Sequence, residues 1–149
     1  MEKHVNTRLL FKVIYILKRL VDEYGEQAFM IDVPGFKMGY VPVFMCIGTV
    51  GISNNEVAKE LKISKMAASK IIKELHALGL TTSEKDPLDA RSERIFLTET
   101  GQVFSAKITR STGKIVDVYR ELVGSENYES TIDVLLEITR YHEEINSSK

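Results

Sequence analysis

Five polar side chains share one short stretch of the chain: Ser64, Lys65, Ser69, Lys70 and Lys73. On a helix whose inward face is Ala68, Ile72 and Leu75, Lys65, Met66, Ser69, Lys70 and Lys73 are left outward, and Ser64 stands at the N-cap. Ammonium groups in that arrangement neutralise phosphates, and Ser64 with the free amides of a first helical turn can hold one. Met66 and Ala67 lie among them and offer the small apolar contacts that meet thymine methyl groups. The plainer reading is a solvated lysine face, which any surface helix can carry. The elements around the stretch must decide between the two.

Other residue types point away from catalysis. The sequence holds no P-loop, no Gly-x-Ser-x-Gly, no His-Glu-x-x-His and no dinucleotide fingerprint, so neither a catalytic residue nor a cofactor is expected. His4, His76 and His142 lack metal-ligand spacing, which argues against a metal site; His4 and His142 are candidates to meet in a dimer. Cys46 is the lone cysteine, set in Phe44-Met45-Cys46-Ile47 with no cation nearby in sequence, and reads as a small hydrophobe rather than an oxidant sensor. The chain is 44% hydrophobic and 28% charged, a globular balance that excludes disorder. No apolar run approaches the ~18 to 20 residues that span a bilayer, and the polar start Met1–Asn6 does not read as a signal peptide. A cytoplasmic protein with no membrane partner is expected. Net charge is −1, divided as +1 over residues 1–52, +1 over 53–97 and −3 over 98–149, so local placement rather than global charge must speak for or against nucleic acid.

Stepping along the chain, Val5, Leu9, Val13, Leu17, Leu20 and Tyr24 form a helical stripe that predicts a helix ending near Gly25. Residues 25–39 read as an irregular segment around Pro34-Gly35, and its Phe29, Met30, Ile31 and Phe36 are candidates to line a pocket for an aromatic or apolar effector, or else to complete the core. Tyr40 to Gly48 predicts a buried helix with Pro42 in its first turn. Ser53-Asn54-Asn55-Glu56 is a capping box, Lys62-Ile63-Ser64 a three-residue turn, and Ser64 a second N-cap before a helix that stops at Gly79. Two short helices about such a turn make a helix-turn-helix. Leu80 to Lys85 and the alternating Arg94-Ile95-Phe96-Leu97 predict a hairpin whose loop begins at Asp86-Pro87, with Ala90 near its tip. Thr98 is placed to cap a long helix through Leu122, weakened at Gly113, and Ser125 to cap a last one.

Asn54-Asn55-Glu56-Val57-Ala58, Ile63-Ser64-Lys65 and Leu78-Gly79-Leu80, continued by Asp86-Pro87-Leu88-Asp89-Ala90-Arg91, Ile95, Leu97-Thr98 and Gly101, resemble the winged helix-turn-helix of the MarR family of bacterial transcription regulators. The resemblance is sharp over residues 53–101. It implies a mainly helical fold with a small β-hairpin wing: an N-terminal dimerisation helix and connecting loop over 1–39, a DNA-binding domain over 40–98, and C-terminal dimerisation helices over 99–149. It further implies a homodimer on a pseudo-palindromic double-stranded operator, most often as a repressor, possible release by a small effector, and DNA contacts from Arg91 and Arg94 of the wing beside those of the helix. The sequence departs from the family at Ala90, where an arginine is frequent, and at Ser83, Glu84 and Phe96, where charge is common. The rival class, which those departures favour, is a winged-helix protein-interaction module that no longer reads DNA.

Overall fold

The N-terminal stripe folds as helix α1 (Leu10–Ala28). The structure, a computed structural model, describes residues 8–148, so Val5 and His4 lie outside the described residues. Gly25 does not end α1 as its type predicted. It is buried inside the helix, where an added Cβ would meet Met38 Cε at 2.5 Å and Phe29 Cζ at 3.0 Å. A glycine can allow close approach as readily as it stops a helix.

After α1 the chain takes a 3-10 turn at Met30–Asp32, another at Met38–Tyr40, and then α2 (Val41–Cys46), with Pro42 in the first turn as expected. Four phenylalanines pack here. Phe36 meets Phe104 edge-on at 4.9 Å between centroids, and Phe29 and Phe44 meet the same ring at 6.2 and 5.6 Å. Burying such a ring stabilises the fold by about 1.5–3 kcal/mol.

The middle of the chain follows its predicted caps. In α3 (Asn54–Leu61) the Ser53 hydroxyl accepts from the Glu56 amide, and the Glu56 carboxylate accepts from the Ser53 amide at 2.9 Å. Lys62 then takes a left-handed conformation (φ 57°), which costs a non-glycine residue about 1–2 kcal/mol and turns the chain into the next helix. That helix, α4 (Lys65–Ala77), is capped by Ser64, whose hydroxyl accepts from the Ala67 amide at 3.0 Å. It ends in a Schellman motif: Gly79 (φ 75°) donates to His76 O and Leu80 donates to Leu75 O. Leu75 and Leu80, which that motif brings together, are both fully buried.

Two long strands and one short strand form the sheet. β1 (Ile52–Ser53), β2 (Thr81–Asp86) and β3 (Asp89–Leu97) lie in the order β1-β3-β2, all antiparallel. The two-residue β1 was not anticipated; it pairs Ile52 with Ile95 across a separation that no local pattern reports. Ile95 faces the core, as its alternation predicted. Phe96 is half-buried over Gly51, where a Cβ would lie 2.5 Å from its ring, so the expected outward position is a packing position.

Two helices close the chain: α5 (Glu99–Val123) and α6 (Ser125–Ser147). Thr98 caps α5 as predicted, accepting from the Gly101 amide at 3.0 Å. Ser125 is not the cap of α6; Gly124 (φ 87°) holds that position, with no side-chain cap. The chain divides into two compact units, Met1–Thr109 and Arg110–Lys149. The first holds the core just described, with Gly101, Phe104 and Ile108 buried along the start of α5. In the second no described residue is buried.

Two glycines of α5 separate close approach from intrinsic propensity. A Cβ on Gly101 would overlap the Leu80 carbonyl oxygen, whereas nothing lies within 4 Å of one on Gly113. Gly101→Ala should therefore cost about 1–3 kcal/mol in urea unfolding, while Gly113→Ala should gain about 0.5–1 kcal/mol. Equal effects of the two substitutions would contradict this packing.

Candidate nucleic-acid interface

The thirteen residues of α4 make a helix about 20 Å long, sufficient to lie along a major groove. Its inward face is Ala68, Ile72 and Leu75, all buried, with Ile71 and Leu78 half-buried. Lys65, Met66, Ala67, Ser69, Lys70 and Lys73 are exposed, and among the described residues none of the three ammonium groups has a carboxylate partner. Ser64 is also exposed; its hydroxyl accepts the Ala67 amide and keeps its own proton to donate, and the amides of Lys65 and Met66 remain at the helix end. Partial positive charge from aligned peptide dipoles adds to that of Lys65 there.

Two polar ties orient α4. The Asn54 amide at the start of α3 donates to the Ser69 hydroxyl, which leaves Asn54 Oδ1 buried without a partner. On the other flank the Tyr40 hydroxyl donates to Glu74, and this bond, with burial, raises the phenol above its usual range. Neither tie was read from the sequence, because each joins residues far apart in the chain. At the last turn, His76 Nδ1 lies within hydrogen-bond distance of the buried Thr81 hydroxyl, which joins α4 to β2.

The wing is built by carboxylates that turn inward. Asp86 Oδ1 accepts from the Leu88 amide at 2.9 Å, and Asp89 Oδ1 accepts from the Arg91 amide at 3.0 Å. Asp89 Oδ2 also takes the Ser92 hydroxyl at 3.3 Å. Arg94 donates to the Gly51 carbonyl at 2.7 Å, with Asp86 4.0 Å from its guanidinium, so this arginine braces the stem of the hairpin. Arg91 is exposed, with its guanidinium unpaired among the described residues. The pairing of Asp86 with Asp89 makes Pro87-Leu88 the turn, so Leu88 rather than Ala90 is the tip. Ala90 sits in the irregular return after Asp89, displaced from the tip by the Asp86 turn.

A cleft of about 520 Å³ runs between α4 and the wing. Asn54, Ser69, Lys73 and His76 line one side, Lys85, Arg91 and Glu93 the other. Three cations against one carboxylate make it suited to a polyanion.

No family model matches the chain. The MarR protein from Peptoclostridium difficile matches it with a TM-score of 0.77 over 91% of this chain and 88% of its own, at 17% identity. The two chains share one fold, a winged helix-turn-helix. FabT of Streptococcus pneumoniae, solved in complex with DNA, shares that fold with a TM-score of 0.76 over 97% of this chain and 99% of its own, at 14% identity. Among curated proteins, the transcriptional regulator AdcR of Streptococcus pyogenes serotype M6 is 30% identical over 81 residues, 54% of this chain. The chain spans about half (55%) of the length of that relative.

Within this fold the four residues considered for an effector pocket separate. Phe29 and Phe36 are buried in the aromatic cluster, Met30 is half-buried against the core, and Ile31 is exposed. The two rings complete the core, which was the other expectation for this segment. Among the described residues no group of His, Cys, Asp and Glu is arranged to hold a metal ion, and no helix is long and apolar enough to cross a membrane.

Cys46 is half-buried, and desolvation, with the Glu60 carboxylate adding to it, pushes its thiol up to about 11. A raised value means that the protonated form prevails at neutral pH; near pH 8 only about one molecule in a thousand is thiolate. Iodoacetamide should thus label Cys46 slowly, with a rate rising about tenfold per pH unit to about pH 10. A rate that levels off near pH 8.5, about where a free cysteine titrates, would contradict the burial.

Proposed function

We propose that this chain is a non-enzymatic, MarR-type transcriptional regulator that binds double-stranded DNA as a homodimer. The observation that carries the reading is the outward face of α4: three unpaired ammonium groups and two free first-turn amides, beside a hairpin and a cationic cleft, on a fold shared with a DNA-bound regulator. In this reading α4 enters the major groove. Lys65, Lys70 and Lys73 neutralise phosphates, Ser64 and the first-turn amides seat one, and Met66, Ala67 and Ser69 face base edges. Arg91 reaches the duplex from the wing, while Arg94 serves by holding the wing in place. Action on chromosomal DNA implies a cytoplasmic location.

The dimer is supported by what each unit leaves uncovered. On α1, Phe11, Ile14, Leu17 and Leu20 are 78%, 48%, 58% and 56% exposed. On α6, Leu135, Leu136 and Ile138 are 46–48% exposed, and no residue of that helix is buried. Apolar faces of that extent are rare on monomers. A second copy related by a two-fold axis covers them and sets two α4 helices about one DNA turn (~34 Å) apart on a pseudo-palindrome.

Light scattering should give twice the 16.9 kDa chain mass; a monomer at micromolar concentration would remove the dimer. Duplex binding should weaken steeply with salt, and Lys70→Ala should weaken it on all sequences while lowering the log–log salt slope by about 0.9 per lost contact. A wild-type slope in that variant would make Lys70 a solvated bystander. An absence of any duplex binding would point instead to a protein-interaction module.

A further inference from the structure

The most exposed large apolar side chain of the described residues is Leu88, 96% accessible at the tip of the wing. A single exposed leucine is ordinary on a protein surface, but this one stands on a turn built to present it. Pro87 fixes the backbone before it, and Asp86 accepts its amide. The two carboxylates flanking the turn are both spent inward: Asp86 on that amide and on Arg94, Asp89 on the Arg91 amide and the Ser92 hydroxyl. What faces outward at the tip is therefore Leu88, with the exposed Lys85 and Arg91 below it and one exposed carboxylate, Glu93, opposite Lys85 on the stem. Arg94, bonded to Gly51, fixes the stem that carries them.

We propose that Leu88 is an apolar wedge which enters the minor groove and opens a base step there; this rests on the DNA-binding reading above. Phosphates offer an isobutyl group nothing. The sugar walls of a groove ~6 Å wide and the faces of a partly unstacked step do offer apolar surface, and leucine and proline are side chains that wedge into such steps. The two cations beside Leu88 suit the phosphates that rim the groove. The wing thus makes its minor-groove contact with an apolar tip, in a sequence where Ala90 stands in place of an arginine.

The test uses the full-length protein and a duplex that the wild type selects from a random-core pool, with a fluorescent adenine analogue placed at successive flanking steps. Wild-type protein should brighten the analogue at one step on each flank, by unstacking it. Leu88→Ala should abolish that signal and weaken binding about tenfold per wing, the equivalent of leaving most of one leucine unburied. It should leave the salt slope unchanged, because no phosphate contact is lost. Leu88→Met should retain signal and affinity, and both variants should melt like the wild type, since the side chain packs against nothing. If Leu88→Ala binds and brightens the analogue as the wild type does, the wedge is wrong while DNA binding stands. If the wild type retains no duplex at low salt, the DNA-binding reading fails and takes the wedge with it.

Discussion

The fold depends on how closely the backbone of Leu80 approaches the start of α5. The Leu80 carbonyl accepts the Thr98 amide at 3.0 Å, the Thr98 hydroxyl donates to the Gly79 carbonyl at 2.6 Å, and that same hydroxyl accepts the Gly101 amide. Gly101 carries no Cβ because the Leu80 carbonyl occupies its place. One clasp therefore ends α4, starts β2, ends β3 and caps α5. The Schellman motif at Gly79 feeds it by burying Leu75 against Leu80. The motif residues Leu78-Gly79-Leu80 and Leu97-Thr98-x-x-Gly101 are thus the two halves of one joint, and that joint sets the position of the wing relative to α4.

Electrostatics follow placement rather than total charge. A net charge of −1 says little, because exposed charges are screened beyond about 8 Å at physiological salt. What a partner meets is local. Along α4 three lysines face outward, and the one acid of that helix, Glu74, takes the Tyr40 hydroxyl. On the wing, Asp86 and Asp89 are bound to the hairpin's own amides, so the exposed charges beside the turn are Lys85 and Arg91, with Glu93 facing Lys85 across the strands. The departures from the family at Ala90, Ser83 and Glu84 lower the wing's positive charge and leave Lys85 and Arg91 to carry it.

What could be read in the sequence was what depends on neighbours within a few residues. The Ser53–Glu56 capping box, the Ser64 cap, the Gly79 terminus and the Thr98 cap all join residues five or fewer apart, and each stands as expected. Longer-range features escaped. Gly25 is a contact for Met38, not a helix end. β1 exists only because Ile52 meets Ile95. Nothing local reveals the bond of Arg94 to Gly51, 43 residues away. The wing tip was misplaced by two residues because the Asp86 side chain makes the turn at Pro87-Leu88. Of the candidate interface, the outward residues of α4 followed from helical period alone. The Asn54–Ser69 and Tyr40–Glu74 ties that orient it did not.

The central claim is that α4 and the wing together form one duplex-binding surface. Amide hydrogen exchange on the full chain, with and without a selected duplex, addresses it most directly, because it reports the whole backbone in one experiment. Added protection is expected over the first two turns of α4 and over the wing from Lys85 to Ser92, with the aromatic core around Phe36 and Phe104 unchanged. Protection confined to α1 or α6, or none at α4, would contradict it.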